Sequence, residues 1–217
     1  MVYGLNSKGG KLLEGELGIT VSGNENDDGV GRMFLEHALL VSDVMVSLEL
    51  ACRKSGDVRL LYEDQLALQS ERNQLQWRVK VHDHGVTLGV VPDRVFALEY
   101  ADHGGQMQRV YFFLEADRGT MPVVRSGLTQ TSFYRKLLAY EATWAQKFHQ
   151  RKLGINRFRV LTVTTNAMRV TSLLEACSRL KRGHGLFLFA DRTVLEKDPF
   201  SPVWQCGKSA KISALLD

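Results

Sequence analysis

Cysteine is scarce in this chain. Three cysteines occur among 217 residues, at Cys52, Cys177 and Cys206, and no two of them form a CxxC pair. An odd, widely spaced set excludes a disulfide-stapled miniprotein. It predicts reduced thiols, as in a cytoplasmic protein.

Long apolar runs are also missing. The longest uncharged apolar stretch, residues 38–46, is interrupted by Ser42 and Asp43, whereas a membrane-spanning helix needs about 20 apolar residues. The N-terminus lacks the charged, then apolar, then small-residue layout of a signal peptide. With 44% hydrophobic and 24% charged residues, the composition predicts a soluble, cytoplasmic chain of about one domain.

The charge is mildly basic and unevenly distributed. Lys and Arg total 28 against 24 Asp and Glu, which gives a net charge of +4. Residues 150–182 contain one acid, Glu175, and eight basic residues: Arg151, Lys152, Arg157, Arg159, Arg169, Arg179, Lys181 and Arg182. Such an excess can neutralise phosphates and give salt-dependent nucleic-acid binding. A solvated surface is the alternative, and the sequence leaves both open.

The spacing of apolar residues changes within the first half of the chain. Residues 22–31 are a turn-rich, acidic link. Residues 33–53 have apolar side chains every three or four positions, which predicts an amphipathic helix. Beyond this helix, apolar residues recur at every second position. This alternation predicts strands over residues 58–62, 77–82, 87–91, 94–100 and 108–114.

The second half alternates helices and strands. A helix is predicted over residues 132–150, with a core-facing stripe of Phe133, Leu137, Tyr140, Trp144 and Phe148. A strand over 157–164, a helix over 167–180 and a strand over 185–189 follow. This order predicts an α/β or α+β fold in which helices flank a mixed central sheet.

Carboxylates follow two of the predicted strands. Asp93 lies at the end of one strand, and Glu115 and Asp117 lie at the end of a later one. If the two strands pair, these side chains reach the same end of the sheet. Carboxylate oxygens are the ligands of Mg²⁺, with water and substrate phosphate completing the shell. We therefore expect Asp93 and Glu115 to bind Mg²⁺ or Mn²⁺, with Asp117 as a further ligand.

This pattern resembles the PD-(D/E)xK nuclease core, a helix–strand–strand–strand–helix–strand unit. The third position is Asp117 in place of the lysine that orients or activates the attacking water in that superfamily. The next helix carries Lys136-x-x-x-Tyr140, whereas the RecB-like branch has Q-x-x-x-Y there. The resemblance implies that Lys136 serves the site from this helix, with Tyr140 steadying the lysine or a phosphate. The alternative is an ordinary polar strand end with a solvated Lys136.

A wider resemblance is to the plasmid-associated replication-relaxation family. Four segments carry it: PDRVFAL (92–98), FFLEADRGT (112–120), SFYRKLLAY (132–140) and RFRVLTVTT (157–165). Asn166, Arg169, and the helix with Leu35-x-His37 and Val41-x-Asp43-Val44 fit as well. In that family a winged helix usually precedes the domain. We therefore expect residues 1–30 to be the remnant of a wing and a linker, without the recognition helix, and residues 31–217 to be the nuclease-like domain.

Basic residues near the acidic motif have two interpretations. Arg118, followed by Gly119, would hold a phosphate through its guanidinium fork. Alternatively, Arg118 pairs with Asp93 or Glu115 and replaces the metal in an inactive site. The further candidates for DNA or phosphate binding are Tyr140, Arg157, Arg159 and Arg169.

These observations leave three functions open. The first is a Mg²⁺-dependent deoxyribonuclease acting in plasmid or mobile-element replication or transfer. The second is a non-catalytic module that binds DNA or docks a partner through a degenerate nuclease-like fold. The third is a winged-helix transcriptional regulator in which this part dimerises. The expected partners are DNA and a replication or mobilisation protein, and a homodimer is left open.

Overall fold

The computed structural model describes residues 28–66, 68, 75–102, 104–209 and 211–216. Residues 1–39 form one compact unit and residues 40–217 form a second. The predicted wing remnant over residues 1–30 lies outside the described residues, except for its last three, which begin the first helix.

Helix α1 (Asp28–Ser55) contains the helix predicted over residues 33–53. From Leu40 onward, the side chains at every third or fourth position are buried, among them Val44, Leu48 and Cys52. Arg53 and the following lysine lie in its last turn, where positive charge favours the helix dipole.

The described residues contain nine strands: β1 (Val58–Tyr62), β2 (Trp77–Val81), β3 (Val86–Val90), β4 (Arg94–Ala101), β5 (Met107–Asp117), β6 (Phe158–Thr164), β7 (Phe187–Asp191), β8 (Trp204–Cys206) and β9 (Ile212–Ser213). Seven of them form the central sheet in the order β1-β4-β5-β6-β7-β8-β9, and β2 and β3 form a separate hairpin. Strands β1, β4 and β5 are antiparallel neighbours, whereas β5, β6 and β7 are parallel. The predicted mixed sheet is confirmed, while β8 and β9 were not expected.

The described residues contain three further α-helices: α2 (Phe133–Ala145), α3 (Phe148–Leu153) and α4 (Ala167–Ser178). The single helix predicted over residues 132–150 is wrong at its end, because Lys147 adopts a left-handed conformation (φ 53°) and separates α2 from α3. The predicted core stripe is also wrong at Trp144, which is 40% exposed.

Two apolar layers cover the central sheet, one on each face. On β5, Phe112 and Leu114 pack with α1, because alternate residues of a strand point to opposite faces. Phe113 points the other way and packs with α2, α4 and the β2–β3 hairpin. Glu115 lies two positions after Phe113 and therefore faces α2.

The hairpin is held on α2 by one buried polar contact within an apolar layer. The Trp77 indole donates a hydrogen bond to Thr143 Oγ1 at 2.8 Å, and the Trp77 ring contacts Phe113, Tyr140 and Phe148. An isolated two-stranded hairpin is marginally stable in water, so this packing fixes its position beside α2.

All three cysteines are free thiols, as the sequence predicts. Within the described ranges, no helix is long and apolar enough to cross a membrane.

Candidate functional site at the end of strand β5

Strand pairing brings Asp93 next to Glu115. Strand β4 begins at Arg94, which lies opposite Leu114 in the antiparallel register. The Asp93 N–H donates to the Leu114 carbonyl at 3.0 Å, and Asp93 Oδ2 accepts from the Ala116 N–H at 2.7 Å. The structure therefore places both carboxylates at one edge of the sheet, as expected if the strands pair.

Glu115 is buried, and helix α2 supplies one partner to each of its carboxylate oxygens. Only 2% of it is exposed. Its Oε1 accepts a hydrogen bond from the Tyr140 hydroxyl at 2.6 Å, and its Oε2 is ion-paired with the Lys136 ammonium. Because residues 136 and 140 are one helical turn apart, both side chains reach the same carboxylate from one face of α2.

Charge and burial determine the protonation of this cluster. Burial raises the pKa of Glu115 above its usual value, although Lys136 opposes that rise. For Lys136, burial opposes the charged form, but the charges of Glu115 and Asp93 outweigh it and raise the pKa. Burial and then the Glu115 charge raise the pKa of Tyr140 well above its usual value. At neutral pH, Lys136 is therefore a cation and Tyr140 a neutral hydrogen-bond donor.

Asp117 is engaged by a different set of groups. Arg169 forms a fork with it, Nε lying 2.7 Å from Oδ2 and Nη2 lying 3.1 Å from Oδ1. The Thr164 hydroxyl donates to Oδ2 at 2.8 Å, and the Gly119 N–H donates to Oδ1 at 3.2 Å. Arg169 Nη2 also donates to the Met121 carbonyl at 2.6 Å. Both oxygens of Asp117 therefore already have partners.

Helix α4 positions Arg169 through its N-terminal cap. Asn166 is the N-cap residue, and its side chain accepts from the Arg169 N–H at 2.9 Å. Strands β5 and β6 are parallel, with Asp117 opposite Thr164. Helix α4 begins three residues after β6, so its first turn lies at the same sheet edge as Asp117.

Arg118 follows Asp117 and is half-buried. The next residue, Gly119, has φ +74°, and a Cβ there would lie 3.4 Å from Thr165 Oγ1. Glycine is favoured at such a position because other residues rarely adopt positive φ. Arg118 does not line the cavity beside Glu115, and its role in phosphate binding or carboxylate pairing stays a prediction.

A cavity of about 210 Å³ opens onto Glu115. Its lining consists of Gly89, Val90, Val91, Glu115, Lys136 and Tyr140. A larger groove of about 990 Å³ shares the first three of these residues. The groove is lined by three cations, Arg78, Arg135 and Lys152, and by no Asp or Glu among the residues the structure describes. A basic groove therefore leads to the buried pair.

Two predicted phosphate-binding residues lie far from this cavity. Arg157 and Arg159 are at the start of β6, whereas the site is at its other end, near Thr164. A strand of this length spans about 20 Å. The structure does not bring these two arginines together with Glu115.

Asp93 and Glu115 match the minimal donor set for Mg²⁺. Magnesium often uses one or two carboxylates and takes its remaining ligands from water and substrate phosphate. Thr162 lies opposite Glu115 on β6, and its buried hydroxyl has no hydrogen-bond partner within the described part of the chain. No group of three or more His, Cys, Asp or Glu side chains suited to a metal occurs in the described residues.

Sequence reasoning missed three features of this site. The pairing of Arg169 with Asp117 joins residues 52 positions apart, and no local spacing signals it. The hairpin residues at 89–91 line the cavity, although strand patterns gave no position for the hairpin. Tyr140 bonds Glu115 and not Lys136, and the residue spacing alone allowed either contact.

Comparisons with known proteins give one match. A family model described as replication-relaxation matches residues 1–157, more than half of the chain. The matched region includes Asp93, Glu115, Lys136 and Tyr140, and it ends before Arg169. No curated protein and no solved structure matches the chain significantly.

Proposed function

The chain belongs to the replication-relaxation family, and on that premise we propose that it acts on DNA as a metal-dependent nuclease. Family membership suggests a role in the replication or relaxation of plasmids or other mobile elements. We place this activity in the cytoplasm. The chemistry we propose, hydrolysis of a phosphodiester bond, comes from the site.

The contact between Lys136 and Glu115 carries this proposal. A lysine is absent from the expected position on β5, where Asp117 stands, but Lys136 from α2 reaches the same carboxylate. The order α1, β1, β4, β5, α2, β6 is also helix–strand–strand–strand–helix–strand once the inserted hairpin is set aside. Both observations support a nuclease-like core with a lysine relocated to the helix.

Each residue has a distinct part in the proposed chemistry. Asp93 and Glu115 would hold Mg²⁺, which would lower the pKa of a bound water and stabilise charge on phosphorus. Lys136 stays cationic beside Glu115 and donates to the attacking water or to a phosphate oxygen. Tyr140 fixes the Glu115 carboxylate through its hydrogen bond. Asp117 is not included among the ligands, because each of its oxygens already accepts two hydrogen bonds, whereas each Glu115 oxygen accepts one.

The groove beside the cavity supports DNA as the substrate. Arg78 and Lys152 are exposed and Arg135 is half-buried, and the Arg135 Nε lacks a hydrogen-bond partner among the described residues. Three cations, with no Asp or Glu among the described residues of the lining, suit a phosphodiester backbone. The shared residues at 89–91 would guide that backbone to Glu115.

Nicking of supercoiled plasmid in Mg²⁺ or Mn²⁺ tests this function. We expect the wild type to nick and Asp93→Asn, Glu115→Gln and Lys136→Met to lose about 100-fold or more in rate. The matched control is Glu99→Gln, because Glu99 is a half-buried glutamate on β4 that pairs with Arg109, away from the site. Loss of nicking in the control as well would refute the assigned site.

A non-catalytic DNA-binding module is the second candidate. Two internal cations, Lys136 and Arg169, already neutralise the two most buried carboxylates of this edge, Glu115 and Asp117, as in an inactivated metal site. Salt-dependent DNA binding without nicking in either metal, unchanged by Glu115→Gln, would favour this candidate over the nuclease.

A further inference from the structure

A second basic cleft lies at the opposite end of the central sheet from Glu115. It has a volume of about 580 Å³ and is bounded by the α2–α3 turn, the start of β6 and the segment before β7. Four cations line it: Lys147, Arg157, Arg159 and Arg182. No Asp or Glu belongs to its lining in the part of the chain that the structure describes. The cleft therefore has the charge of an anion-binding surface.

An exposed tryptophan lies among these cations. Trp144 is 40% exposed, whereas Trp77 is 7% and Trp204 is 1% exposed. Gly183 packs beside the indole, and a Cβ there would lie 3.5 Å from the Trp144 ring. A large aromatic ring left in water at the edge of a basic cleft is a platform on which an unpaired base can stack.

Lys147 is presented to the cleft by an unusual backbone. Its φ of 53° is the single positive φ of a non-glycine residue in the described ranges. The turn is fixed because the Lys147 N–H donates to the Trp144 carbonyl at 2.9 Å and the Lys147 carbonyl accepts from the next helix. Glycine would adopt this conformation with less strain, so a lysine here adds charge at a conformational cost.

Internal pairing leaves these cations able to reach a ligand. Arg182 donates to Glu141 at 2.6 Å, yet its side chain is 61% exposed. Arg157 and Lys147 are exposed as well. His149, which also lines the cleft, has its pKa lowered by burial and adds no charge at neutral pH. The positive charge of the cleft therefore comes from the lysine and the three arginines.

We propose that this cleft binds single-stranded nucleic acid, with a base stacked on Trp144 and the flanking phosphates held by Lys147, Arg157 and Arg182. The combination of an aromatic platform with a basic groove is the general solution for binding single strands without sequence preference. In duplex DNA the bases are stacked on one another, so only the phosphates could contact the cleft. The inference does not depend on the nuclease proposal, because it uses different residues at the other end of the sheet.

Tryptophan fluorescence tests the proposal directly. Trp77 lines the groove beside Glu115, so stacking on Trp144 is measured as the part of the quenching by a (dT)20 oligonucleotide that is lost in Trp144→Phe. We expect this Trp144-dependent quenching with (dT)20 and (U)20, and little of it with a 20-base-pair duplex or inorganic polyphosphate. Equal quenching by polyphosphate, or none by (dT)20, would overturn the proposal.

A charge-matched pair of double variants tests the cations. Lys147→Ser with Arg157→Ser should weaken (dT)20 binding about tenfold or more and reduce the slope of log K against log salt by about 1.4. Arg192→Ser with Lys197→Ser removes the same charge from exposed residues beyond the far end of β7, and should leave affinity within about twofold. Equal losses in the two double variants would overturn the assignment of the cleft.

Discussion

At the scale of single residues, the buried Glu115 carboxylate depends on its two partners from α2. Taking a carboxylate out of water is costly unless it is paired and hydrogen-bonded. Tyr140 and Lys136 supply those contacts, and Lys136 keeps about a third of its side chain exposed. Replacing a buried ion pair with apolar residues of similar size often leaves the stability of a fold unchanged or higher. Stability alone therefore does not explain a glutamate at this position.

Lys136→Met should destabilise the fold by about 3 kcal/mol at pH 8, because it leaves a buried carboxylate without its cation. The pKa of Glu115, already raised from 4.5 by burial, would rise further. The folded state would then bind more protons than the unfolded state above about pH 4.5, so the free energy of unfolding falls as pH rises. Urea unfolding at pH 5 and pH 8 measures the difference.

Adding Glu115→Gln to this variant is the control. The double variant has no carboxyl to titrate at this position, so its loss of stability should be similar at both pH values. A Lys136→Met loss that is equal at pH 5 and pH 8 would contradict the account of the pair.

At Lys147, one substitution should raise the stability of the fold and weaken single-strand binding. Lys147→Gly relieves a left-handed lysine and is expected to raise Tm by about 2 °C, while weakening (dT)20 binding. Lys152→Gly, within helix α3, is the matched variant and should lower Tm, since glycine in a helix costs about 1 kcal/mol. A fall in Tm for Lys147→Gly would mean that the turn needs the lysine side chain.

Spacing predicted some of these residues but not others. Lys136 and Tyr140 could be assigned to one site because a helix places positions i and i+4 on one face. Asp93 and Glu115 could be joined by assuming that their strands pair. Arg169 could not be assigned to Asp117, because that contact depends on how α4 docks at the end of β6, and no local pattern encodes the docking.

At the scale of elements, α4 closes the edge of the sheet that carries the site. Its first turn is tied to β5 through Arg169 and Asp117, and the same arginine holds the Met121 carbonyl in the segment between β5 and α2. One side chain thus connects a strand, a helix and a connecting segment. Its side chain is 14% exposed, so little solvent screens the ion pair.

Arg169→Met should therefore cost about 3 kcal/mol of folding stability and loosen the segment over residues 118–132. We expect urea unfolding at lower concentration and faster tryptic cleavage at Arg118 or Arg125. Arg53→Met is the control, since Arg53 pairs with Glu49 on an exposed helix surface, and such pairs contribute about 0.5 kcal/mol. Equal effects of the two substitutions would contradict the connecting role of Arg169.

The helices and strands were predicted more accurately than the way in which they pack together. The strands of the antiparallel half were predicted within a few residues because their alternation is regular. The break between α2 and α3 was missed because Lys147 is not a residue type that signals a left-handed turn. Strands β2 and β3 were predicted as strands, but the hairpin's apolar face packs on α2, and alternation alone does not tell which partner that face covers.

At the scale of the whole second unit, residues 40–217, the two ends of the sheet differ in chemistry. One edge has the carboxylates, Lys136 and a basic groove. The other has four cations and an exposed tryptophan. A net charge of +4 is too small to imply nucleic-acid binding by itself, but the cations are concentrated where the carboxylates are few or already paired. We therefore propose catalysis at one end of the sheet and single-strand binding at the other.

The central claim is that Asp93 and Glu115 bind a divalent metal beside Lys136. Calorimetric titration with Mn²⁺ of the wild type, Glu115→Gln and Glu99→Gln tests it most directly. We expect one ion bound per chain in the wild type and in Glu99→Gln, and binding lost in Glu115→Gln. No binding at millimolar Mn²⁺, or equal binding by all three proteins, would contradict it and leave the carboxylates with a structural role.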